Sequence, residues 1–249
     1  MGSPGNLRVN NPVHDGKPCR TIAALDNSIV NCTFCPRLVD WRQEVALIKR
    51  KAYVEQDYWG KPVTGFGDPK AQIVIVGLAP GAHGANRTGR IFTGDSSGDF
   101  LFASLHRAGL AKLPTSDSRS DGQELIGARI LCAVRCAPPD NKPTTEEKAR
   151  CAPFMANEIQ LLLPTARVFI ALGNFAWTGL MAQLKNMEFQ LPTPAPKFGH
   201  GASFSVTSKS EKKMLVIGSY HPSQQNTFTK KLTPAMLDNI FTLAQQFRD

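Results

Sequence analysis

The sequence predicts an α/β protein, a single domain with a central four-stranded, mostly parallel sheet flanked by helices. The first observation is a set of four apolar runs of strand length, at residues 71–76, 128–134, 166–172 and 214–218. Runs rich in Val, Ile and Leu are typical of strands buried on both faces. The second observation is that helical spacing of apolar residues follows each run. Strands that alternate with helices favour a parallel sheet.

Length, composition and charge point to an intracellular protein that meets a polyanion. The 249 residues, 42% of them hydrophobic, suffice for one full core. No apolar run approaches the roughly 20 residues needed to cross a bilayer, and the start lacks the basic-then-apolar order of a signal peptide. We therefore expect an intracellular monomer with no membrane contact. The net charge of +9 favours nucleic acid as partner, although positive charge also aids solubility.

Residues 1–20 are rich in Gly, Pro and Asn and show no periodicity. This composition predicts a poorly ordered N-terminal segment, followed by one domain at residues 21–249. Near the start of the domain, apolar residues at positions 39–48 recur at helical spacing and alternate with Arg and Lys. They predict an amphipathic helix with a basic outer face.

The first candidate site is the loop at residues 77–98, which reads GLAPGAHGANRTGRIFTGDSSG. It follows the first predicted strand and precedes a predicted helix at residues 99–108. It holds six glycines, two arginines, His83 and Asp95. Loops at the carboxyl ends of parallel strands are where α/β proteins bind ligands. The alternative is a flexible surface loop, against which the apolar pair Ile91-Phe92 argues.

Two more polar loops follow predicted strands, at residues 135–143 and 219–226. Since the carboxyl ends of parallel strands share one edge of a sheet, the three loops should converge there. Thr144 and Glu147 form a capping box that begins a helix, which Pro153 interrupts early. Residues 110–124 are predicted to form a surface insertion, residues 203–206 a short strand, and the residues from 233 onward a closing helix.

The six cysteines stand at positions 19, 32, 35, 132, 136 and 151. Disulfides are rare inside cells, so clustered cysteines there indicate metal binding or catalysis. Cys32 and Cys35 form a CxxC pair, whereas Cys136 and Cys151 lie too far apart for the second turn of a zinc ribbon. Four thiolates from scattered segments suit a [4Fe–4S] cluster. The alternative is four unrelated buried thiols, and Cys132, inside a predicted strand, is expected in the core.

The motifs, taken in order, resemble the uracil-DNA glycosylase superfamily, and most closely its type B, or family 5, bacterial and archaeal branch. These motifs are CTFC, GLAPGAHGANRTGRIFTGD, VRCAPPDNKP, Cys151 and SYHPSQQN, and they span the chain from Cys32 to its closing helix. The resemblance implies a three-layer α/β/α fold and a structural [4Fe–4S] cluster held by Cys32, Cys35, Cys136 and Cys151. It implies a cytoplasmic, nucleoid-associated DNA-repair glycosylase. Such an enzyme hydrolyses the N-glycosidic bond of uracil, hypoxanthine and other deaminated or modified bases, and leaves an abasic site.

The resemblance also assigns roles to residues. A base must leave the duplex to be reached, and Phe92 matches the aromatic platform on which it stacks. Asp95 matches the acid that stabilises the sugar cation and orients water, and His221 matches the donor to the departing base. Asn141 is the third catalytic candidate. The remaining pocket residues are Gly77, Leu78, Ala79 and Asn226, and the expected DNA contacts are Arg87, Arg90, Lys142, Ser223 and Gln224.

Each assignment has a simpler alternative. Asp95 could serve only as an acid at a helix N-terminus, and His221 could be a turn residue before proline. Phe92 could be part of the core. Arg87 and Arg90 could be solvated loop charges.

The chain departs from the superfamily pattern at three places. Positions 77–79 hold no acidic or amide side chain, which most superfamily members carry there and type B enzymes lack. This absence shifts the chemistry onto Asp95. Cys132 stands where some relatives hold a base-reading asparagine, which predicts relaxed selectivity for uracil. Lys230 replaces a commoner glycine and is expected to affect DNA contact.

The main alternative function is a non-catalytic protein that recognises or covalently traps damaged DNA. The trapping branch of the superfamily carries a basic insertion with a reactive histidine after the first motif. This chain has no such insertion, and only His83 and His106 lie nearby. A phosphate-binding nucleotidase is disfavoured because no GK[ST] motif follows a glycine-rich loop.

Overall fold

The computed structural model describes residue 13 and residues 15–248. Six strands form one sheet in the order β1-β3-β2-β4-β6-β5. The strands are β1 (Phe66–Gly67), β2 (Ile73–Gly77), β3 (Ala128–Cys132), β4 (Val168–Leu172), β5 (Ser203–Thr207) and β6 (Lys213–Ser219). The four central strands run parallel, while β1 and β5 pair antiparallel at the two edges.

The predicted α/β class and its parallel core are confirmed, but the predicted number of four strands is wrong. The expected short strand at 203–206 forms as β5 and joins the sheet. Strand β1 is only two residues long, so its sequence carries no strand periodicity. It exists because Phe66 and Gly67 pair with Ile130 and Arg129 of β3.

Strand β2 shows why the central strands read as unbroken apolar runs. All of its residues are buried, and they alternate between two cores. Ile73 and Ile75 pack on one face of the sheet, whereas Val74 and Val76 pack on the other. Both faces must therefore be apolar, as in parallel sheets covered by helices on each side.

Two pairs of helices cover the sheet. Apolar side chains of α4 and α8 join the core on the Ile73 face, and those of α5 and α6 join the core on the Val74 face. In the part of the chain that the structure describes, none of the helices combines the length and apolar character needed to cross a membrane. The helices are α1 (Ile22–Val30), α2 (Pro36–Ile48), α3 (Ala85–Thr88), α4 (Ser96–Arg107), α5 (Thr145–Leu162), α6 (Asn174–Asn186), α7 (Gln224–Phe228) and α8 (Pro234–Arg248).

Helix α5 confirms the capping box and corrects the predicted break. The Glu147 N–H donates to Thr144 Oγ1 at 3.1 Å, and the Thr144 N–H donates to Glu147 Oε2 at 2.7 Å. The helix nevertheless continues through Pro153. A proline inside a helix removes one backbone hydrogen bond. The fully buried Phe154 and the neighbouring Met155 anchor the same turn, and their burial offsets that loss.

Helix α2 corrects the predicted basic outer face. Its terminal Leu47 and Ile48 are 83% and 70% exposed, whereas Arg42 is only 3% exposed. The predicted helix forms, but these two apolar side chains face solvent and this basic side chain is buried. The reason for the buried arginine lies in its surroundings, described below.

The described part of the predicted N-terminal segment is packed on the domain. Val13 is buried against Leu25 and Ile29 of α1. The backbone of Cys19 exchanges two hydrogen bonds with the Asn157 side chain, at 2.7 and 3.0 Å. Residues 1–12 and 14, on which most of the prediction of poor order falls, lie outside the described residues.

Candidate active-site cleft

The loops after β2, β3 and β6 converge on one cleft at the carboxyl edge of the sheet, as their positions in the sequence predict. The cleft has a volume of about 990 Å³. The loop after β4 joins them through Gly173 and Asn174. The predicted site residues that line the cleft are Leu78, Ala79, Phe92, Asp95, Asn141, Lys142, His221, Ser223, Gln224 and Asn226.

Asp95 both caps helix α4 and faces the cleft. Its Oδ1 accepts a hydrogen bond from the Gly98 N–H at 2.9 Å. Its Oδ2 lies against the backbone of Gly84, where a Cβ would overlap it. Burial raises the pKa of this carboxyl, while the N–H groups of Gly98 and Ser97 and the charge of Arg87 oppose the rise. The two readings of Asp95 are therefore compatible, since the capping acid is also a cleft acid.

Phe92 forms a wall of the cleft, and Gly77 supports it from behind. The Phe92 backbone has a φ of 51°, which turns the ring toward the end of β2. A Cβ on Gly77 would lie 3.1 Å from the ring, so glycine leaves the space in which Phe92 rests. Cys132 closes the same spot from β3 and is buried in the core, as predicted. Gly77 thus supports the pocket but is not among the residues that line it.

His221 lies beside Phe92, with ring centroids 5.8 Å apart and planes inclined by 34°. Burial lowers the pKa of His221 to about 4. The imidazole is therefore neutral at pH 7 and offers one N–H donor and one acceptor nitrogen. Asn226 fixes the loop by donating from Nδ2 to the His221 carbonyl at 2.9 Å. Gly173 also packs close, because a Cβ there would lie 3.2 Å from the His221 Cβ.

Asn141 and Lys142 are exposed at the rim formed by the loop after β3. Asn141 follows Asp140, and both have positive φ, of 55° and 53°. This turn, which Pro138 and Pro139 precede, presents the amide at the cleft. Across the cleft, Ser223 and Gln224 mark the start of α7.

Arg87 and Arg90 lie inside the protein, with 8% and 6% of their surfaces exposed. Arg87 donates to the carbonyls of His83 and Gly94, at 2.7 and 2.6 Å. Arg90 donates to Asp121 Oδ1 at 2.8 Å and pairs with the same carboxylate through Nη2. Both guanidinium groups hold the first loop in shape, and this placement does not support the predicted contact with DNA phosphate.

Other residues of the cleft were not found from the sequence. One side is built by Trp41 of α2 and by Arg50 and Tyr53 just beyond it. The opposite side includes Tyr220 and Lys231, and the Lys231 ammonium lies 4.9 Å from the centre of the Tyr220 ring. Tyr220 could have been found as the neighbour of His221. No local pattern marks Trp41, which reads as an ordinary apolar position of an amphipathic helix.

A small cavity separate from the cleft is lined by Cys32, Cys35, Cys136 and Cys151. Apolar residues such as Leu38 and Phe154 complete its lining. Among the described residues, no group of three or more His, Cys, Asp or Glu side chains is arranged to hold a single metal ion. A [4Fe–4S] cube separates its ligand sulfurs further than one ion does, since each sulfur binds a different iron. Four cysteines around one apolar cavity fit such a cluster.

Comparison with known proteins agrees with this site. The family model described as the uracil DNA glycosylase superfamily matches residues 64–245. A type-5 uracil-DNA glycosylase of Mycobacterium leprae is 49% identical over 91% of this chain and 95% of its own length. One of Thermus thermophilus is 46% identical over 90% of this chain and 96% of its own. A type-4 uracil-DNA glycosylase of Archaeoglobus fulgidus is 31% identical over 65% and 70%.

Three loops on one cleft, the order of their motifs and the extent of these matches agree with one another. Both type-5 matches extend over at least 90% of this chain. The chain therefore belongs to the uracil-DNA glycosylase superfamily and, within it, to the type-5 branch.

Proposed function

We propose that the protein is a monofunctional uracil-DNA glycosylase that hydrolyses the N-glycosidic bond of a base flipped out of DNA and leaves an abasic site. The observation that carries this proposal is the meeting of Phe92, Asp95 and His221 in one cleft. These residues supply a stacking surface, a carboxylate and a neutral donor. The names of the type-5 relatives support uracil as the base.

The cleft is suited to a flipped nucleotide. A base extruded from the duplex stacks on an aromatic surface, which Phe92 offers beside His221. Leu78 and Ala79 at the pocket wall carry no polar side chain to select one base edge. A wall without such groups rejects near relatives of the substrate weakly. This wall supports a substrate range that includes hypoxanthine and other deaminated bases besides uracil.

In the proposed reaction, the bond between the base and sugar C1′ breaks, and its electron pair leaves with the base. Asp95 stabilises the positive charge left on the sugar and accepts a proton from the attacking water. The hydroxyl of that water bonds to C1′. His221 donates a hydrogen bond to the oxygen on which the base anion gathers its charge. Asn141, at the rim, orients the water or the base edge.

The lysines of the cleft favour water as the nucleophile. Lys142 and Lys231 are the cleft-lining lysines among the described residues, and both are exposed. A lysine becomes a nucleophile when burial or a neighbouring cation removes its proton, and exposure to solvent favours the charged form. No Schiff base with the sugar is therefore proposed, and the product remains an intact strand with an abasic site.

DNA is the proposed partner, and the cleft rim is its proposed path. The exposed Arg50, Lys142 and Lys231 bring positive charge to the cleft from three different loops. Ser223 and Gln224 at the start of α7 can donate to phosphate oxygens. These contacts replace those first assigned to Arg87 and Arg90, whose guanidinium groups are engaged inside the protein.

We further propose that Cys32, Cys35, Cys136 and Cys151 hold a [4Fe–4S] cluster with a structural role. When bound, the cluster cross-links three separate segments of the chain. Cys35 is the N-cap of α2, Cys136 follows β3, and Cys151 lies in α5. The four cysteines are not among the residues that line the cleft, so loss of the cluster is expected to unfold or loosen this corner of the fold.

The central test uses a duplex and a single strand that each carry one deoxyuridine, with matched substrates that carry deoxyinosine. Alkali after incubation should cleave the strand at the abasic site formed by the protein. Asp95→Asn keeps the size and cap of the side chain but removes its charge, so we expect at least a 100-fold loss of single-turnover rate, the scale of a lost transition-state charge. DNA binding should change little.

Three results would count against the proposal. No cleavage of any substrate would exclude glycosylase activity. A slow-migrating protein–DNA adduct on a denaturing gel would indicate covalent trapping. Equal losses of rate and of DNA affinity in Asp95→Asn would contradict the role given to this residue.

A further inference from the structure

Buried positive charge surrounds the cysteine quartet of Cys32, Cys35, Cys136 and Cys151. Arg42 and Arg129 are 3% exposed and Arg135 is 1% exposed. An arginine remains protonated in a protein under all ordinary conditions, so each brings a full charge into the interior. A buried charge is costly unless an opposite charge and hydrogen bonds compensate it.

The carboxylates nearby do not balance these arginines. The fully buried Glu158 is shared, since it accepts from Arg129 Nε at 2.6 Å and from Arg135 Nη2 at 2.5 Å. Asp26 lies 3.6 Å from Arg129 Nη2, and burial raises the pKa of this carboxyl to about 6. Arg42 has no carboxylate within 4.0 Å among the described residues, and its Nη1 donates to the Gly60 carbonyl. At least one buried positive charge is left over.

Several guanidinium nitrogens also lack hydrogen-bond acceptors. Arg42 Nε, Arg135 Nε and Arg135 Nη1 are buried and have no partner within residues 15–248. A buried donor without an acceptor destabilises the fold, and a charged donor does so more strongly. Two buried arginines with this defect point to an acceptor of negative charge near the elements that carry them.

The cysteine cavity lies between those elements. Arg135 lines it, immediately precedes Cys136, and donates from its backbone N–H to Cys151 Sγ at 3.3 Å. Arg42 stands two turns after Cys35 in helix α2. Leu38, one turn before Arg42 on the same helix, packs with Cys136 and lines the cavity. Arg42 therefore approaches the cavity from α2, and Arg135 approaches it from the loop that follows β3.

We propose that Arg42 and Arg135 are counter-ions of an anionic cluster bound by the four cysteines, and that they set how easily this cluster is oxidised. The inference rests on the cluster assigned under the proposed function. Four thiolates outweigh the positive charge of a [4Fe–4S] core, so the bound centre carries net negative charge. Positive charge and N–H donors around a cluster stabilise its more reduced state.

Arg42 offers the cleaner test, because its removal leaves no carboxylate unpaired. Arg42→Gln is expected to be bleached by ferricyanide about tenfold faster than wild type, the scale for one unit charge several ångströms away at a protein-like dielectric constant. Arg42→Lys keeps the charge and should remain close to wild type. Loss of the visible iron–sulfur absorbance gives the rate, and iron and sulfide analysis gives the starting occupancy.

Arg107→Gln is the matched control. Arg107 pairs with Asp238 on the exposed side of α4 and α8, so this variant changes the net charge equally but far from the cysteines. Its bleaching rate should equal that of wild type. If Arg42→Gln proves unstable, Arg135→Lys is the second variant to measure. It retains the charge beside Glu158 and should bleach at a rate close to that of wild type.

The outcomes separate the two proposals. Colourless wild-type protein that contains no iron but excises uracil would overturn the cluster assignment and leave the glycosylase proposal intact. A coloured wild type in which Arg42→Gln bleaches at the wild-type rate would overturn the counter-ion role alone. Equal acceleration in Arg42→Lys and Arg42→Gln would show that packing, and not charge, is responsible, and would also overturn it.

Discussion

Asp95 shows how one side chain joins local structure to the proposed chemistry. Its Oδ1 caps the first turn of α4 by accepting a hydrogen bond from the Gly98 N–H. Gly84 has no Cβ, and this leaves space for Oδ2 at the cleft. The motif TGD predicts the cap and the acid equally well, because both need a carboxylate in that place. A cap holds its side chain in one rotamer, and this rigidity is what a group that must orient water needs.

The pH dependence of excision should report Asp95 and not His221. The pKa of Asp95 is raised, first by burial, so its charged form is lost at a higher pH than for an ordinary aspartate. His221 titrates near pH 4 and is neutral above it. Single-turnover rates should therefore fall on the acid side as Asp95 gains its proton, and His221 should add no limb near pH 6.5, where an ordinary histidine would titrate.

His221→Asn is the control for that profile. It should lower the rate at every pH without moving the acid limb. A limb near pH 6.5 in wild type that disappears in this variant would show that His221 works in a charged form, contrary to its burial.

Residue type alone did not reveal which arginines face solvent. Arg87 and Arg90 stand in a polar loop beside glycines, as phosphate-binding residues often do. Their acceptors include backbone carbonyls of the same loop and Asp121, which lies in the predicted surface insertion. Because these partners are set by the folded shape of the loop, no local motif could distinguish an internal brace from a DNA contact.

Helices were predictable where their ends carry a chemical signal. The capping box of α5 is visible in the sequence and forms in the structure. The passage of α5 through Pro153 was not predictable, since the burial that holds this turn depends on tertiary packing. In α2 the periodicity was visible, but the burial of Arg42 was not, because the Gly60 carbonyl that accepts from its Nη1 lies in a separate loop.

The cap of α5 should matter more than its exposure suggests. Thr144→Ala is expected to lower the free energy of unfolding by about 1–2 kcal/mol, the usual cost of a lost N-cap. We expect the upper end of this range, because the Glu147 carboxylate of the capping box also accepts two hydrogen bonds of 2.7 Å from Arg37 of α2. Urea denaturation with a constant m-value gives the measurement.

Thr178→Ala in α6 is a matched control for that variant. Thr178 donates from its hydroxyl to the Asn174 carbonyl within an exposed helical turn and caps nothing. Its removal should change stability by less than about 0.5 kcal/mol. Equal effects of the two substitutions would show that the capping box does not stabilise α5.

At the scale of the whole molecule, the position of the site follows from the class of the fold. The cleft lies at the carboxyl edge of the sheet, and the class of the fold was enough to predict that edge. The full outline of the cleft was not predictable, because Trp41 and Arg50 reach it from a part of the chain that precedes the first long strand. Closure of a site by distant segments leaves no trace in local sequence.

Binding to undamaged DNA should weaken steeply with salt, since phosphate contacts release counter-ions. Arg50→Gln should reduce the slope of log K against log salt by about one, as expected for one lost phosphate contact. Fluorescence anisotropy with a labelled duplex at several salt concentrations gives the slope.

Lys209→Gln is the control on the far edge of the sheet. Lys209 pairs with Glu188 near the start of β6, away from the carboxyl edge. The same slope as wild type is expected for it. A slope reduced equally by both variants would show that overall charge, and not the cleft rim, governs DNA binding.

The two antiparallel edge strands have a consequence for how the molecule behaves in a crowded cell. Exposed strand edges invite pairing with other chains, and proteins limit this by keeping edges short or polar. Strand β1 is two residues long and is soon followed by Pro69, and β5 alternates Ser203, Ser205 and Thr207 with its apolar residues. Neither edge offers a long apolar template, so the sheet has little tendency to nucleate aggregates.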